Sequence, residues 1–266
     1  MSENNYALEL ETIQVKEFKT LIEALKDILT EANIMFDHQG MRVTAMEMEQ
    51  TVLVHLRLFA DKFERYHCKE PINVGVDMQE LYKIIKILKN NETLTIYIKE
   101  TDDDKIWFKI FNADTGKVMK IHLGRMDLNY NPLKIPEMQF DSIITMPSSE
   151  FQQICRYYNN FSDMIEIRCV DDSITLSCVG ETGRVGIQTA YSKTDEEQVL
   201  EISNGKQSEI IQGYYNLKYL VSFSKCTDLC DSIKMMMNNN FPLVITFQVG
   251  SLGDLKMCIA PVVMDD

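Results

Sequence analysis

Asp102, Asp103 and Asp104 stand in a row in KETDDDKIWF. Three adjacent carboxylates could hold a magnesium ion, and a site of that kind would do metal-dependent hydrolysis, as in a nuclease. The same run lies between two strand-like stretches, where acids serve as a solvated hairpin tip. The other reactive types do not assemble either. His38, His55, His67 and His122 have no zinc-site spacing, and Cys226/Cys230 and Cys169/Cys178 lack a second pair at finger-like distance. There is no GxxxxGK[ST] loop, no GxGxxG and no GxSxG. The expectation is a protein that is not an enzyme and has no catalytic residue, metal or cofactor. Seven cysteines, an odd number at irregular spacing, suit free thiols in a reducing compartment. Asn91-Glu92-Thr93 and Asn160-Phe161-Ser162 match glycosylation acceptors, but MSENNYALEL lacks the basic and apolar regions of a secretory signal.

The remaining candidates are cations. KTLIEALKDILTEA, residues 19–32, reads as one amphipathic helix. On a wheel of 100° per residue, Phe18, Leu21, Ile22, Leu25, Ile28 and Leu29 cover one side, with Lys16, Lys19 and Lys26 roughly opposite. In MQELYKIIKILK, Leu81, Ile84, Ile85 and Leu88 face inward while Lys83 and Lys86 face away. Two further helical stretches carry Arg156, Lys218 and Lys225. A solvated helix face also carries lysines, and Glu17, Glu23 and Asp27 make this one mixed. Yet four helices direct cations outward while TDDDK and KTDEEQ hold many of the acids. Such a surface attracts a polyanion through its phosphates, without reading sequence. No aromatic residues interleave with these helix cations to stack bases, and no helix-turn-helix, zinc-finger or RNA-recognition signature is present. Duplex backbone is the fitting target.

The chain has 266 residues, a formal charge of −13 and 45% hydrophobic residues. That composition supports real cores and excludes a disordered chain. It also argues against coating nucleic acid over the whole surface. No run reaches the roughly 18 apolar residues of a membrane span, so no membrane partner is expected.

The positions of these helices repeat. At an offset of 133 residues Phe18 falls on Phe151, Leu21 on Ile154, Ile34 on Ile167, Val43 on Leu176 and Val54 on Ile187. At an offset of 139, Ile72 falls on Ile211, Leu81 on Leu220, Ile96 on Met235 and Phe108 on Phe247. The longer polar loop SKTDEEQVLEISNGKQS accounts for the difference. Burial pattern rather than identity is conserved between the copies, as a duplicated fold requires. Each copy reads as a strand, a helix, three alternating strands, a second helix and three more strands. Antiparallel sheets with two helices on one side follow, an α+β fold. The boundaries are 1–123 and 143–266, joined by a connector, 124–142, that Pro132 and Pro136 keep extended.

EALKDILTEA, GMRVTAMEMEQTVLVHLRL, GVDMQELYKIIKILK, MDLNYNPLKIPE, MPSSEFQQICR, KYLVSFSKCTDL and PLVITFQVGSLGDLKMCIAP together resemble the proliferating cell nuclear antigen family of DNA sliding clamps. The resemblance runs nearly end to end and in order. The divergence would suit a clamp encoded by a large DNA virus. It implies two similar domains per chain and a homotrimer closed head-to-tail into a ring, with edge strands KVMKIHL of one chain and SITLSCV of the next at the interface. It implies a processivity factor that encircles duplex DNA, without sequence preference, in the nucleus or at a viral replication site. Lys16, Lys19, Lys26, Lys83, Lys86, Arg156, Lys218 and Lys225 would line the hole. DNA polymerase, clamp loader and other replication and repair proteins would dock short peptides on Met46, Leu133, Ile135, Pro136, Pro242, Ile259, Ala260 and Pro261. The sequence departs from the family pattern at Cys258, where a tyrosine is usual, at Gln50, where a histidine is frequent, at Gln153 instead of a second basic residue, and at Asp171 instead of a ubiquitin-acceptor lysine. The alternative reading is a clamp-like peptide-docking adaptor, or one subunit of a heterotrimer, that does not itself encircle DNA as a homotrimer.

Overall fold

Period-two stretches form strands and amphipathic stretches form helices, in one order that occurs twice. The structure, a computed structural model, describes residues 6–129, 133, 139–180, 182–192, 201–204 and 209–263. The first copy runs β1 (Tyr6–Thr12), α1 (Val15–Leu25), β2 (Glu31–Asp37), β3 (Gly40–Met46), β4 (Val52–Phe59), β5 (Arg65–Cys68), β6 (Ile72–Asp77), α2 (Met78–Ile85), β7 (Glu92–Lys99), β8 (Asp102–Asn112) and β9 (Lys117–Gly124). The second runs β10 (Ser142–Pro147), α3 (Ser148–Asn159), β11 (Met164–Val170), β12 (Ser173–Val179), β13 (Gly186–Ser192), β14 (Glu201–Asn204), β15 (Ile211–Asn216), α4 (Leu217–Phe223), β16 (Ser232–Met237), β17 (Leu243–Val249) and β18 (Gly253–Ile259). Strands follow the order β5-β1-β7-β8-β9 and β4-β3-β2-β6 in one copy, and β14-β10-β16-β17-β18 and β13-β12-β11-β15 in the other. Element for element, these are the same arrangement.

Two compact units result. One holds Met1–Met48, Val54–Leu133 and Gln248–Leu255; the other holds Glu49–Leu53, Lys134–Phe247 and Lys256–Asp266. In the first, Phe18, Leu21, Ile22 and Leu25 of α1 and Leu81, Ile84 and Ile85 of α2 are buried, as are Ile96, Phe108 and Ile110 on the sheet. In the second, Phe151, Ile154 and Tyr158 of α3 and Leu220 and Phe223 of α4 are buried, as are Ile233 and Met235. Each such side chain contributes about 1.5–3 kcal/mol. Tyr158 is buried without loss because its hydroxyl donates to the Leu176 carbonyl at 2.8 Å.

Two glycines of the quoted motifs have steric reasons. A Cβ on Gly40, whose φ is +136°, would lie 2.0 Å from the Leu58 carbonyl oxygen, and one on Gly253 would lie 2.0 Å from that of Arg57. Backbones approach too closely there for any other residue.

Four expectations need correction. Between its two helices each copy has five strands rather than three, β5 and β6 being the additional ones in the first copy and β14 and β15 in the second. The first helix ends at Leu25 rather than at residue 32. Glu31 and Ala32 instead pair with Asp77 and Val76 of β6, so sheet pairing overrides a helical propensity that extends further. The polar loop of the second copy contains a strand, β14, which pairs with β10. The interface strand SITLSCV is β12, and it is not an edge: β11 and β13 occupy both its sides. The edge of that sheet is β13, Gly186–Ser192. The other expected edge strand, KVMKIHL, lies in β9, which is an edge of its sheet.

Candidate nucleic-acid interface

Each unit sets its helices as a packed pair, α1 with α2 and α3 with α4. Asp77 starts α2 by accepting from the Gln79 and Glu80 amides at 2.8 and 2.9 Å. Asn216, the residue at the same place in the second copy, starts α4 by accepting from the Lys218 amide at 2.9 Å. Side-chain oxygens thus satisfy amides that have no helical partner. The preceding helices of each copy begin without a side-chain cap, after Gln14 and Pro147.

In the first unit Lys16, Lys83 and Lys86 are exposed, while Lys19 and Lys26 are half-buried. Lys26 has only 15% of its side chain exposed. It pairs with Asp27 at 2.6 Å and sits 4.7 Å from the centre of the Tyr82 ring, tying α1 to α2. Burial and the Glu23 carboxylate push the Tyr82 phenol up. Lys19 donates to the Leu88 carbonyl at 3.4 Å, tying α1 to the turn that follows α2. Lys83 pairs with Glu80 one turn away. Lys86 lies 5.9 Å from the same ring, so, against expectation, an aromatic residue does stand among the helix cations.

In the second unit Arg156, Lys218 and Lys225 are exposed. Lys218 pairs with Glu49 at 2.9 Å, and Tyr219 donates to the same carboxylate at 2.7 Å. These two contacts hold the Glu49 carboxyl below its ordinary range. The helices are joined by Gln152, whose amide donates to the Ser224 carbonyl at 3.2 Å and the Thr227 hydroxyl at 2.9 Å. Lys26 and Lys218 therefore make internal contacts that the wheel did not reveal.

The acidic run has a different fate from a metal site. Lys105 pairs with Asp102 at 2.8 Å and lies 3.7 Å from Asp104. Lys105 holds the Asp102 carboxyl below its ordinary range. Among the described residues no group of three or more His, Cys, Asp or Glu could hold a metal ion.

Sequence models of two domains match the chain. The one described as "Proliferating cell nuclear antigen, N-terminal domain" spans residues 7–131, and the one described as its C-terminal domain spans residues 134–262. The chain belongs to the proliferating cell nuclear antigen family. A curated relative, "Probable DNA polymerase sliding clamp 1" of Paramecium bursaria Chlorella virus 1, is 27% identical over 266 residues, 98% of this chain and 99% of the relative. A solved structure, the proliferating cellular nuclear antigen of Entamoeba histolytica, superposes with a TM-score of 0.86 at 27% identity, covering 97% of this chain and 100% of that one.

Of the positions expected to dock peptides, some belong to each unit. In the first, Met46 and Leu133 are exposed. In the second, Pro242, Ala260 and Pro261 are half-buried and Ile259 is fully buried, so its neighbours supply the accessible surface. Ile135 and Pro136 lie outside the described residues. At the family's departure Cys258, burial pushes the thiol up to about 11, so it stays neutral and presents a small, weakly polar surface. Gln50 stands at positive φ, 57°, a conformation that strains a side chain of any size.

Proposed function

We propose that this chain is a DNA sliding clamp: a processivity factor that closes as a homotrimeric ring around duplex DNA and tethers replication and repair enzymes to it. The single observation that carries the reading is the match of both family domains, in order, over nearly the whole chain. The cations best placed to meet phosphate are the exposed Lys16, Lys83, Lys86, Arg156 and Lys225. The half-buried Lys19 and Lys26, and Lys218, which is exposed but paired with Glu49, add positive potential. Contacts of this kind are loose and independent of sequence, which is what sliding needs. Ring closure is proposed through β9 of one copy and β13 of the next, two strands that each leave an edge open within their own sheets. Partner peptides from polymerase and clamp loader are proposed to use Met46 and Leu133 in the first unit and Pro242, Ala260 and Pro261 in the second. Action at the intracellular site of DNA replication, nuclear or viral, belongs to the same proposal. As a non-enzymatic protein, the clamp contributes position rather than chemistry.

Light scattering should give about three times the chain mass of 30.8 kDa. The protein, once loaded on a nicked circular duplex, should be retained, and linearising the circle should release it. A mass of one chain favours the adaptor reading, and retention that survives linearisation rules out encirclement.

A further inference from the structure

The sheet of the first unit has a second cationic surface, unlike the helices in composition. Its inner face carries Ile106, Phe108 and Ile110 into the core beneath α1 and α2. Side chains alternate along a strand, so Lys105, Trp107, Lys109 and Phe111 of β8 all project from the face turned away from the helices. Cation and aromatic ring alternate along this row. Register extends it sideways: Trp107 lies between Tyr97 of β7 and His122 of β9, and Phe111 lies opposite Val118. The rings make one transverse band. Centroids are 4.9 Å apart from Tyr6 to Tyr97, 6.2 Å from Tyr97 to Trp107 and 4.9 Å from Trp107 to His122. Lys99 lies 4.4 Å over the Trp107 ring.

One pair on this face works against stability. Lys109 and Lys120 are direct partners across β8 and β9. Like charges placed opposite each other destabilise a sheet. Of the acids on the same face, Glu9 pairs with Arg65 at 3.5 Å and Asp102 with Lys105, while Glu11 accepts from the neutral Thr95 hydroxyl at 3.1 Å. Phe111 and Val118, at 37% and 49% exposure, keep apolar surface in water beside the two lysines.

We propose that this outer face of β1-β7-β8-β9 binds single-stranded nucleic acid, a function separate from the encirclement of duplex. Lys99, Lys109 and Lys120 meet phosphates, and the accessible rings, Trp107, His122 and Phe111, take unstacked bases, with the buried Tyr97 backing Trp107. Single strands favour this combination of cations and rings because their bases are free to stack. An acidic polypeptide would match the lysines but leave the ring band without a role.

Trp107 is the chain's one tryptophan, so its fluorescence reports this surface alone. Titrating the full chain with oligo(dT) should quench it saturably. Lys109→Gln with Lys120→Gln should weaken binding and lower the slope of log affinity against log salt by roughly 0.7 per lysine removed. Trp107→Ala, followed by anisotropy of a labelled oligo(dT), should weaken binding roughly tenfold or more. Lys83→Glu with Lys86→Glu should keep the quench while reducing retention on circular duplex, so the two surfaces fail separately. Absence of quenching, or an unchanged salt slope in the double variant, overturns the proposal. Equal quenching by polyglutamate of matched charge also overturns it, and identifies an acidic polypeptide as the occupant.

Discussion

Between α1 and α2 the tie is an ammonium over a phenol ring, Lys26 on Tyr82, with Asp27 and Glu23 alongside. Between α3 and α4 it is a neutral amide, Gln152, reaching a carbonyl and a hydroxyl. The apolar contacts beneath are equivalent in the two copies, Leu81 answering to Leu220 and Phe18 to Phe151. Duplication thus kept the buried pattern and let the solvent-facing joint drift from charged to neutral. Packing tolerates little change, whereas a joint at the surface has several solutions. The cations drifted too: each pair of helices exposes three, one of them ion-paired (Lys83 with Glu80, Lys218 with Glu49), but the first pair adds the half-buried Lys19 and Lys26.

Charge reversal exploits this asymmetry most strongly. Lys16→Glu, Lys83→Glu and Lys86→Glu together should reduce retention on circular duplex by on the order of tenfold or more, with a shallower salt dependence. Arg156→Glu with Lys225→Glu should act in the same direction by less. Equal losses would show that the second unit contributes as much as the first despite its thinner charge. Next in size are the core leucines. Leu81→Ala and Leu220→Ala should each cost about 2–5 kcal/mol in denaturant unfolding, because both are nearly inaccessible. A large difference between them would mean that the equivalence of the two copies ends at topology.

Much of the architecture was legible because periodicity and duplication are local patterns. The two offsets place α1 with α3 and α2 with α4, and the strands between them correspond in order. The errors arose where partners distant in sequence decide the outcome. Ala32 continues a helical pattern, yet it belongs to β2 because Val76 pairs with it. Whether β12 or β13 forms an edge depends on how many strands precede the polar loop. Lys26 and Lys218 looked equivalent to Lys83 on a wheel, but Tyr82 and Glu49 lie far from them in sequence. The row from Lys105 to Phe111 is present as plain alternation in KIWFKIF, but a single strand does not show which of its two faces meets solvent. Its cross-strand companions Lys120 and His122 become visible only through register.

Capping gives the next smaller contrast. Asp77 satisfies two amides and Asn216 one, each with its carbonyl or carboxylate oxygen. Asp77→Ala should cost about 1–2 kcal/mol and Asn216→Ala about 0.5–1 kcal/mol. Asp77 also carries negative charge at the positive end of α2, an added gain that salt should screen. The ordering should therefore narrow as ionic strength rises. An ordering that is reversed, or independent of salt, would show that the second amide and the charge contribute nothing.

Smallest is the joint itself. Lys26→Met keeps most of the aliphatic stem against Tyr82 and removes the ammonium from both the ring and Asp27. The expected loss is below about 1 kcal/mol, since a partly exposed cation over a ring and a neighbouring ion pair are each worth little. Gln152→Leu in the other unit should cost somewhat more, about 1 kcal/mol. It removes the two bonds the amide donates, while the Thr227 hydroxyl still donates to the Ser224 carbonyl at 2.7 Å, so the loss is that of hydrogen bonds and not of unpaired buried groups. The two variants measured by chemical denaturation under one buffer decide the matter. If Lys26→Met is the more damaging, the cation over Tyr82 is a stronger bond between helices than the amide, and the drift from charged to neutral exchanged a strong joint for a weak one.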